Sequence, residues 1–439
     1  MNTTFSRTLL ATSTLFISAT SMAGGFQVNE HSATGLGRAF AGEAVIADNA
    51  SVLSRNAAAM IMFDKDAISV GMTVVQPDVT VKNGTYYRPE VDVNKPIFGN
   101  ITASTSYEVV SMNDVDGIAP TAVVPNFYYI HPINEKMAVG VSAYSNFGTG
   151  TEFKSNYEAP IFGGKTSVQS MNLGMSIAYR FNDHLSVGGG IDVIYGVGDL
   201  YRDIDVNVGA SVGGAPVGNL VLKENALDVH ATGVGLGANI GMVYEVDKGN
   251  RFGFSYKYSP EIEAEGDVYY APSALTGKNS DKIYLPLPDI AEFSGFHMIT
   301  DKTAIHYSIQ WVGWSAFDTI ETEYDTIKEY HWKDSYHYSI GATHYLNNKW
   351  ILRTGYMYDQ TPVDELTSIS IPDSDRQWFS AGFTYNWSSN TAIDFGFTYL
   401  IGKDVEVHEF VEESLPAPAV TATTHADAIL AAIQLSHSF

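Results

Sequence analysis

The feature that most constrains this chain is a two-residue alternation of apolar and polar side chains, repeated along its length. Ile305, Tyr307, Ile309 and Trp311 alternate with His306, Ser308 and Gln310. Tyr336, Tyr338, Ile340 and Ala342 alternate with His337, Ser339, Gly341 and Thr343, and Ile393, Phe395, Phe397 and Tyr399 with Asp394, Gly396 and Thr398. The last stretch sets Ile429, Ala431, Ile433, Leu435, His437 and Phe439 against Leu430, Ala432, Gln434, Ser436 and Ser438. In a strand, successive side chains face opposite sides, so each segment has one greasy and one polar face. One such segment fits a soluble sandwich. A whole chain of them, with rings at the segment ends and a terminal Phe439, fits a barrel in lipid.

The turns give the strand number. Short polar connections stand at Asn134-Glu135-Lys136, Asn182-Asp183-His184, Asp247-Lys248-Gly249-Asn250, Thr300-Asp301-Lys302, Asn347-Asn348-Lys349 and Ser388-Ser389-Asn390. Each supplies the residues a tight hairpin needs. Six turns join twelve strands; a first strand near 67–81 and a last near 426–439 make fourteen. An even number with both ends on the short-turn side is the topology of a bacterial outer-membrane barrel, so the expected location is the bacterial cell outer membrane.

Composition agrees. Only 17% of the 439 residues are charged and 12% are aromatic, with 26 Tyr. Residues 1–23 read as a secretory signal: Arg7, an apolar run from Leu9 to Ala19, then Ser21-Met22-Ala23. No later run is long enough for a transmembrane helix. A formal charge of −24 excludes binding nucleic acid through its phosphates. With no cysteine, there is no thiolate chemistry and no disulfide.

Between the tight turns lie longer inserts. Two are large: 203–228, and 260–288 with Tyr269, Tyr270, Leu275, Tyr284, Leu285 and Leu287. Apolar loops facing water fit either capture of a greasy ligand or mutual packing into a lid. Before the first strand, residues 24–66 form a Gly- and Ala-rich segment that cannot build a core alone, and we read it as a plug inside the barrel 67–439. Catalytic motifs are weak. Gly209-Ala210-Ser211-Val212-Gly213 lacks the strand-to-helix context of a nucleophile elbow, and His408-Glu409 lacks the second His of a zinc helix. The reading is therefore no enzyme, no cofactor and no metal.

The chain resembles the FadL family of outer-membrane long-chain fatty-acid transporters (OmpP1/FadL/TodX type). The resemblance runs through Gly25-Phe26-Gln27-Val28-Asn29-Glu30, Gly35-Leu36-Gly37-Arg38-Ala39, Ser54-Arg55-Asn56, Thr151-Glu152-Phe153, Trp314-Ser315-Ala316-Phe317, Lys333-Asp334 and Ser370-Ile371-Pro372-Asp373. It implies an all-β, fourteen-stranded antiparallel transmembrane barrel closed by a small N-terminal hatch. The family's Asn-Pro-Ala in the hatch is here Asn56, Ala57 and Ala58, which frees a backbone φ and restores an N–H donor.

The family holds a ligand carboxylate near an Arg, a Lys and a Ser. The Arg maps to Arg202, which shares a parity opposite to the lipid-facing Val187, Ile191, Val193 and Tyr195; its rival role is pairing with Asp192. The Lys maps to Lys328 counting back from Lys333-Asp334, whereas parity favours Lys333. The Ser maps to Ser145, which faces outward by parity with Val139 and Val141 unless the strand kinks. Asn146, Phe147 and Gly148 follow, where the family kinks its third strand into a lateral opening.

The implied function is passive uptake of a long-chain fatty acid or similar hydrophobic ligand: loop capture, an internal pocket, and release past Phe26 toward the gap near Gly148. The alternatives are uptake of neutral aromatic or alkane hydrocarbons, or a surface adhesin. The expected partners are outer-membrane lipid and lipopolysaccharide, and the barrel-assembly machinery through Phe439; the expected state is a monomer.

Overall fold

The computed structural model describes residues 24–96, 100–278, 280–364, 366–410 and 419–439; the leader at 1–23 lies outside them. Fourteen antiparallel strands close into a barrel. In chain order they are β1 (Ala67–Lys95), β2 (Ala122–Asn134), β3 (Met137–Tyr144, resuming as Gly148–Glu152), β4 (Lys165–Arg180), β5 (Leu185–Val212), β6 (Ala215–Asp247) and β7 (Asn250–Tyr258). Then follow β8 (Ile290–Thr300), β9 (Thr303–Val312), β10 (Ser335–Tyr345), β11 (Trp350–Asp359), β12 (Arg376–Asn386), β13 (Thr391–Ile401) and β14 (Val420–Ser438). The first and last strands close the ring in register from Ala67↔Ser438. All six tight turns fall where the sequence places them.

Side-chain alternation becomes an inside and an outside. Leu173, Met175 and Ile177 of β4 and Ile429, Ile433 and Leu435 of β14 are exposed on the outer face, while Leu430, Ala432 and Gln434 are buried. Rings collect at the short-turn end: Tyr179 meets Phe181, Trp350 meets Tyr385, and Tyr385 meets Trp387. This is an apolar band with an aromatic girdle, as an outer-membrane barrel requires.

The strand limits differ from expectation in one direction: several strands are longer than the roughly 9–11 residues a membrane strand needs. β1 continues to Lys95 and β14 begins at Val420. The region 203–228, expected as an irregular loop, is a β-hairpin formed by β5 and β6, turning at Gly213-Gly214. Its rising arm pairs in parallel with the end of β1, Glu90↔Asn207 to Lys95↔Val212. The length and glycine content of this Gly- and Val-rich insert suggested a loop; cross-strand pairing overrides that local preference. Residues 260–288 hold two short strands, Glu261–Tyr270 and Lys282–Pro286, around a short helix, Ala271–Leu275. Leu227, Val229, Ile262, Ile283 and Leu287 bury one another there, so these inserts pack together as a cover.

Residues 24–63 lie inside the ring. A helix α1 (Ala33–Leu36) packs on β12, β13 and β14, and a 3-10 helix at Ala57–Met62 packs on β4, β5 and β6 across the lumen. Close backbone approach is possible because the wall offers glycine. A Cβ on Gly355 would stand 2.1 Å from the Arg38 carbonyl oxygen, and one on Gly188 would stand 2.4 Å from the Ala58 nitrogen. Such separations leave no space for a side chain.

Candidate functional site

The ladder between β2 and β3 runs from Asn134↔Met137 to Phe127↔Ala143 and stops. Past that point β3 is interrupted at Ser145, Asn146 and Phe147 before it resumes at Gly148. The interruption resets the side-chain parity, so Ser145 is buried rather than outward, together with Asn146 and Phe147. The neighbour that β2 no longer supplies comes from the N-terminal segment. The Val28 N–H donates to the Asn146 carbonyl at 2.7 Å and the Gly148 N–H to the Phe26 carbonyl at 2.8 Å, forming an antiparallel bridge Gln27↔Phe147. The His31 Nε2–H donates to the Ser145 carbonyl at 2.8 Å. Buried backbone groups at a broken strand need such partners.

Phe26 stands in a box of rings. Its centroid is 4.6 Å from Trp314, 5.0 Å from Phe317, 5.8 Å from Trp332 and 6.0 Å from Phe147, most of them edge-on. Trp314 and Phe317 sit on the turn after β9, which the Gly313 kink brings inward. Edge-on pairs at this range are favourable beyond simple burial. Gly24 and Gly25 anchor the same end: their N–H groups donate to Asp359 Oδ2 at 3.0 Å and Asp373 Oδ2 at 3.1 Å. Burial pushes the Asp373 carboxyl up to about 6, against the opposing pull of Arg376.

The predicted cations separate into two groups. Arg202 points inward from β5 and donates to the Lys165 carbonyl at 2.6 Å, the Tyr201 carbonyl at 2.8 Å and Thr166 Oγ1 at 2.6 Å. It does not pair with Asp192, whose oxygens accept from Tyr144 and Asn239. Lys328 bonds to Ser368 Oγ at 3.0 Å and to Glu409, and its Nζ lies 5.4 Å from the Tyr330 ring centre. The Tyr330 ring lies tilted against Phe317, with centroids 4.7 Å apart. Lys333 is exposed instead and pairs with Asp364 at 2.9 Å. Ser145 is not among the contacts of Arg202 or Lys328; it lies on the other side of Phe26, at the strand break.

Asn56 caps the 3-10 helix: its Oδ1 accepts from the Ala58 N–H at 3.0 Å and its Nδ2 donates to the Ala44 carbonyl at 2.7 Å. Ala57 and Ala58 are buried beside Gly188, so the turn forms without the proline. Sequence reasoning missed Glu409, Tyr330, Trp332 and the ring role of Trp314 and Phe317. A cavity of about 570 Å³ is lined by Lys165, Asp199, Asp228 and His230 together with Phe153, Leu200 and Val229, and no residue of the aromatic box lines it.

A family profile described as outer membrane protein transport protein (OMPP1/FadL/TodX) matches residues 14–439. A long-chain fatty acid transport protein of Salmonella typhi is 36% identical over 93% of this chain and 94% of its own. Outer membrane protein P1 of Haemophilus influenzae is 33% identical over 99% of both. Among solved structures, a Pseudomonas aeruginosa FadL homologue superposes with a TM-score of 0.78 at 20% identity, over 94% of this chain and 100% of that one. The Pseudomonas putida toluene transporter TodX gives 0.62 at 14% identity, over 95% and 100%. These last two bear on the fold alone.

Proposed function

We propose, from the premise that this chain belongs to the OMPP1/FadL/TodX family of outer membrane transport proteins, that it takes up long-chain fatty acids passively. The observation that carries the reading is Lys328 packed on Tyr330, whose ring meets Phe317 and through it Phe26, with Arg202 turned inward from β5. Cations over an apolar channel fit a ligand with one acidic head and a long tail. Each buried methylene is worth about 0.8 kcal/mol, so the tail supplies affinity and the cations orient the head. The packed inserts of 203–228 and 260–288 would collect the ligand at the outer surface.

The N-terminal segment acts as the hatch in this reading. Release requires Phe26 to leave its box and Phe26–Val28 to leave the edge of β3, which exposes the gap between β2 and β3 to lipid. No ATP-binding motif accompanies the site, so movement follows the gradient.

One observation favours the neutral-hydrocarbon alternative. Lys328 is already paired with Glu409, which leaves Arg202 as the main free attraction for an anion. Binding of oleate and of hexadecane to wild type and Arg202→Ala separates the two. We expect oleate affinity to fall about tenfold, the effect of one modest charged contact, with hexadecane unchanged. Unchanged oleate affinity overturns the head-group role.

A further inference from the structure

Lys257 points inward from β7 and is 8% exposed. Its Nζ donates to Tyr144 Oη at 3.3 Å and Asn146 Oδ1 at 3.4 Å, and lies 4.7 Å from the Tyr144 ring centre. These partners are neutral. No carboxylate oxygen among the described residues lies within 4.0 Å of it. The acids it senses are occupied elsewhere: Asp192 by Tyr144 and Asn239, Glu292 by Ser294, Ser308, Gln310 and Arg55. Arg55, the nearby cation, is itself paired with Glu292 at 3.6 Å.

A buried ammonium without an anion is costly, and an apolar side chain of the same length would stabilise this wall better. Its position supplies the missing purpose. From Lys328 a continuous series of contacts runs through Tyr330, Phe317, Phe26 and Phe147 to Asn146, and ends at Lys257. Phe26 is the middle member. The chain therefore carries one cation group on each side of the ring that closes the channel.

We propose that Lys257 is a second carboxylate-docking point, on the exit side of Phe26, which receives the ligand head after it leaves Arg202 and Lys328. This rests on the fatty-acid reading above. An arriving carboxylate replaces the Asn146 side-chain amide as the acceptor of Lys257. Asn146 is also the residue whose carbonyl holds Val28, so occupancy at Lys257 acts on the same joint that the N-terminal segment closes.

The test compares uptake of oleate and of oleyl alcohol, which have the same tail and differ in charge, by wild type, Lys257→Met and Lys257→Arg. Oleate uptake by Lys257→Met should fall about tenfold, as expected for loss of one stabilising contact on the path. Oleyl alcohol uptake should stay at the wild-type value, and Lys257→Arg should restore oleate uptake. A purely structural lysine predicts that both substrates fall together, and that result overturns the proposal. Wild-type oleate uptake in Lys257→Met overturns it as well. A wild-type protein that carries the alcohol but no oleate overturns the fatty-acid reading itself, a different outcome from either.

Discussion

The two halves of the N-terminal segment are held in different ways. From Ser32 to Met62 the segment is pressed backbone-first against wall glycines and cross-linked by charge. Asp48 accepts from Arg38 at 2.9 Å and from Arg353 of β11 at 3.1 Å, while Glu43 pairs with Arg38 at 2.6 Å. From Gly24 to His31 it is held by hydrogen bonds to the edge of β3, to the end of β11 and to the loop that follows it, and by one ring. Removing the first half would pull paired charges apart inside the barrel, at several kcal/mol each. Releasing Gly24–His31 breaks hydrogen bonds to Asp359, Asp373, Asn146, Gly148, Ser145, Gln310 and Tyr128, each worth roughly 1 kcal/mol net, but leaves the pairs among Arg38, Glu43, Asp48 and Arg353 intact. On the proposed reading, the moving part is therefore the first eight described residues, and the rest is a fixed stopper.

The largest expected effect tests the fixed half. Gly355→Leu puts a side chain where the Arg38 carbonyl now sits, 2.1 Å from a Cβ. Overpacking of this kind costs about 3 kcal/mol or more, because backbone rather than a flexible side chain must give way. The barrel should still fold, as judged by its heat-modifiable gel mobility, but planar-bilayer recordings should show a steady conductance that wild type lacks. A closed Gly355→Leu barrel would mean that the stopper does not depend on close approach, and the contrast between the halves would fail.

A smaller and more local effect is expected at the latch. Phe26→Ala empties the ring box of Trp314, Phe317 and Trp332, and loss of a buried Phe typically costs about 3 kcal/mol. Because Phe26 touches none of the Arg38 network, the loss should stay within Gly24–His31. Amide exchange at Gln27 and Val28 should accelerate by about two orders of magnitude, with Asn56 to Met60 unchanged. Equal acceleration in both halves would show that they open as one unit.

What the sequence revealed and hid follows from the range of the interactions. Alternation and hairpin residues are local, so strand faces, six turns and the closure of fourteen strands were readable, down to Leu430 inside and Ile429 outside. The extended hairpin was not: Asp203 to Asp228 mixes valines with glycines that read as loop, and becomes strand through its pairing with β1 and within itself. Parity placed Arg202 inward correctly because β5 is regular up to that point; it failed at Ser145, where β3 breaks. Lys328 and Lys333 could not be ranked from spacing, since their difference lies in Glu409 and Asp364, distant partners in sequence. Lys257 shares the inward parity of Ser255 and faces Tyr144, so a charged residue on the polar row of a strand was the available signal.

The smallest expected effect concerns Ala57. It occupies the first position of the 3-10 helix after the Asn56 cap, a place where proline is pre-organised and its missing N–H costs nothing. Restoring the family residue with Ala57→Pro should stabilise the fixed half by about 0.4–1 kcal/mol, through the unfolded chain rather than through new contacts. Exchange at Ala58 to Met60 should slow severalfold, while exchange at Gln27 and Val28 and the rate of oleate uptake should stay as in wild type. If uptake slows as well, the stopper must move with the latch during transport, and the division at His31 would have to shift toward Met62.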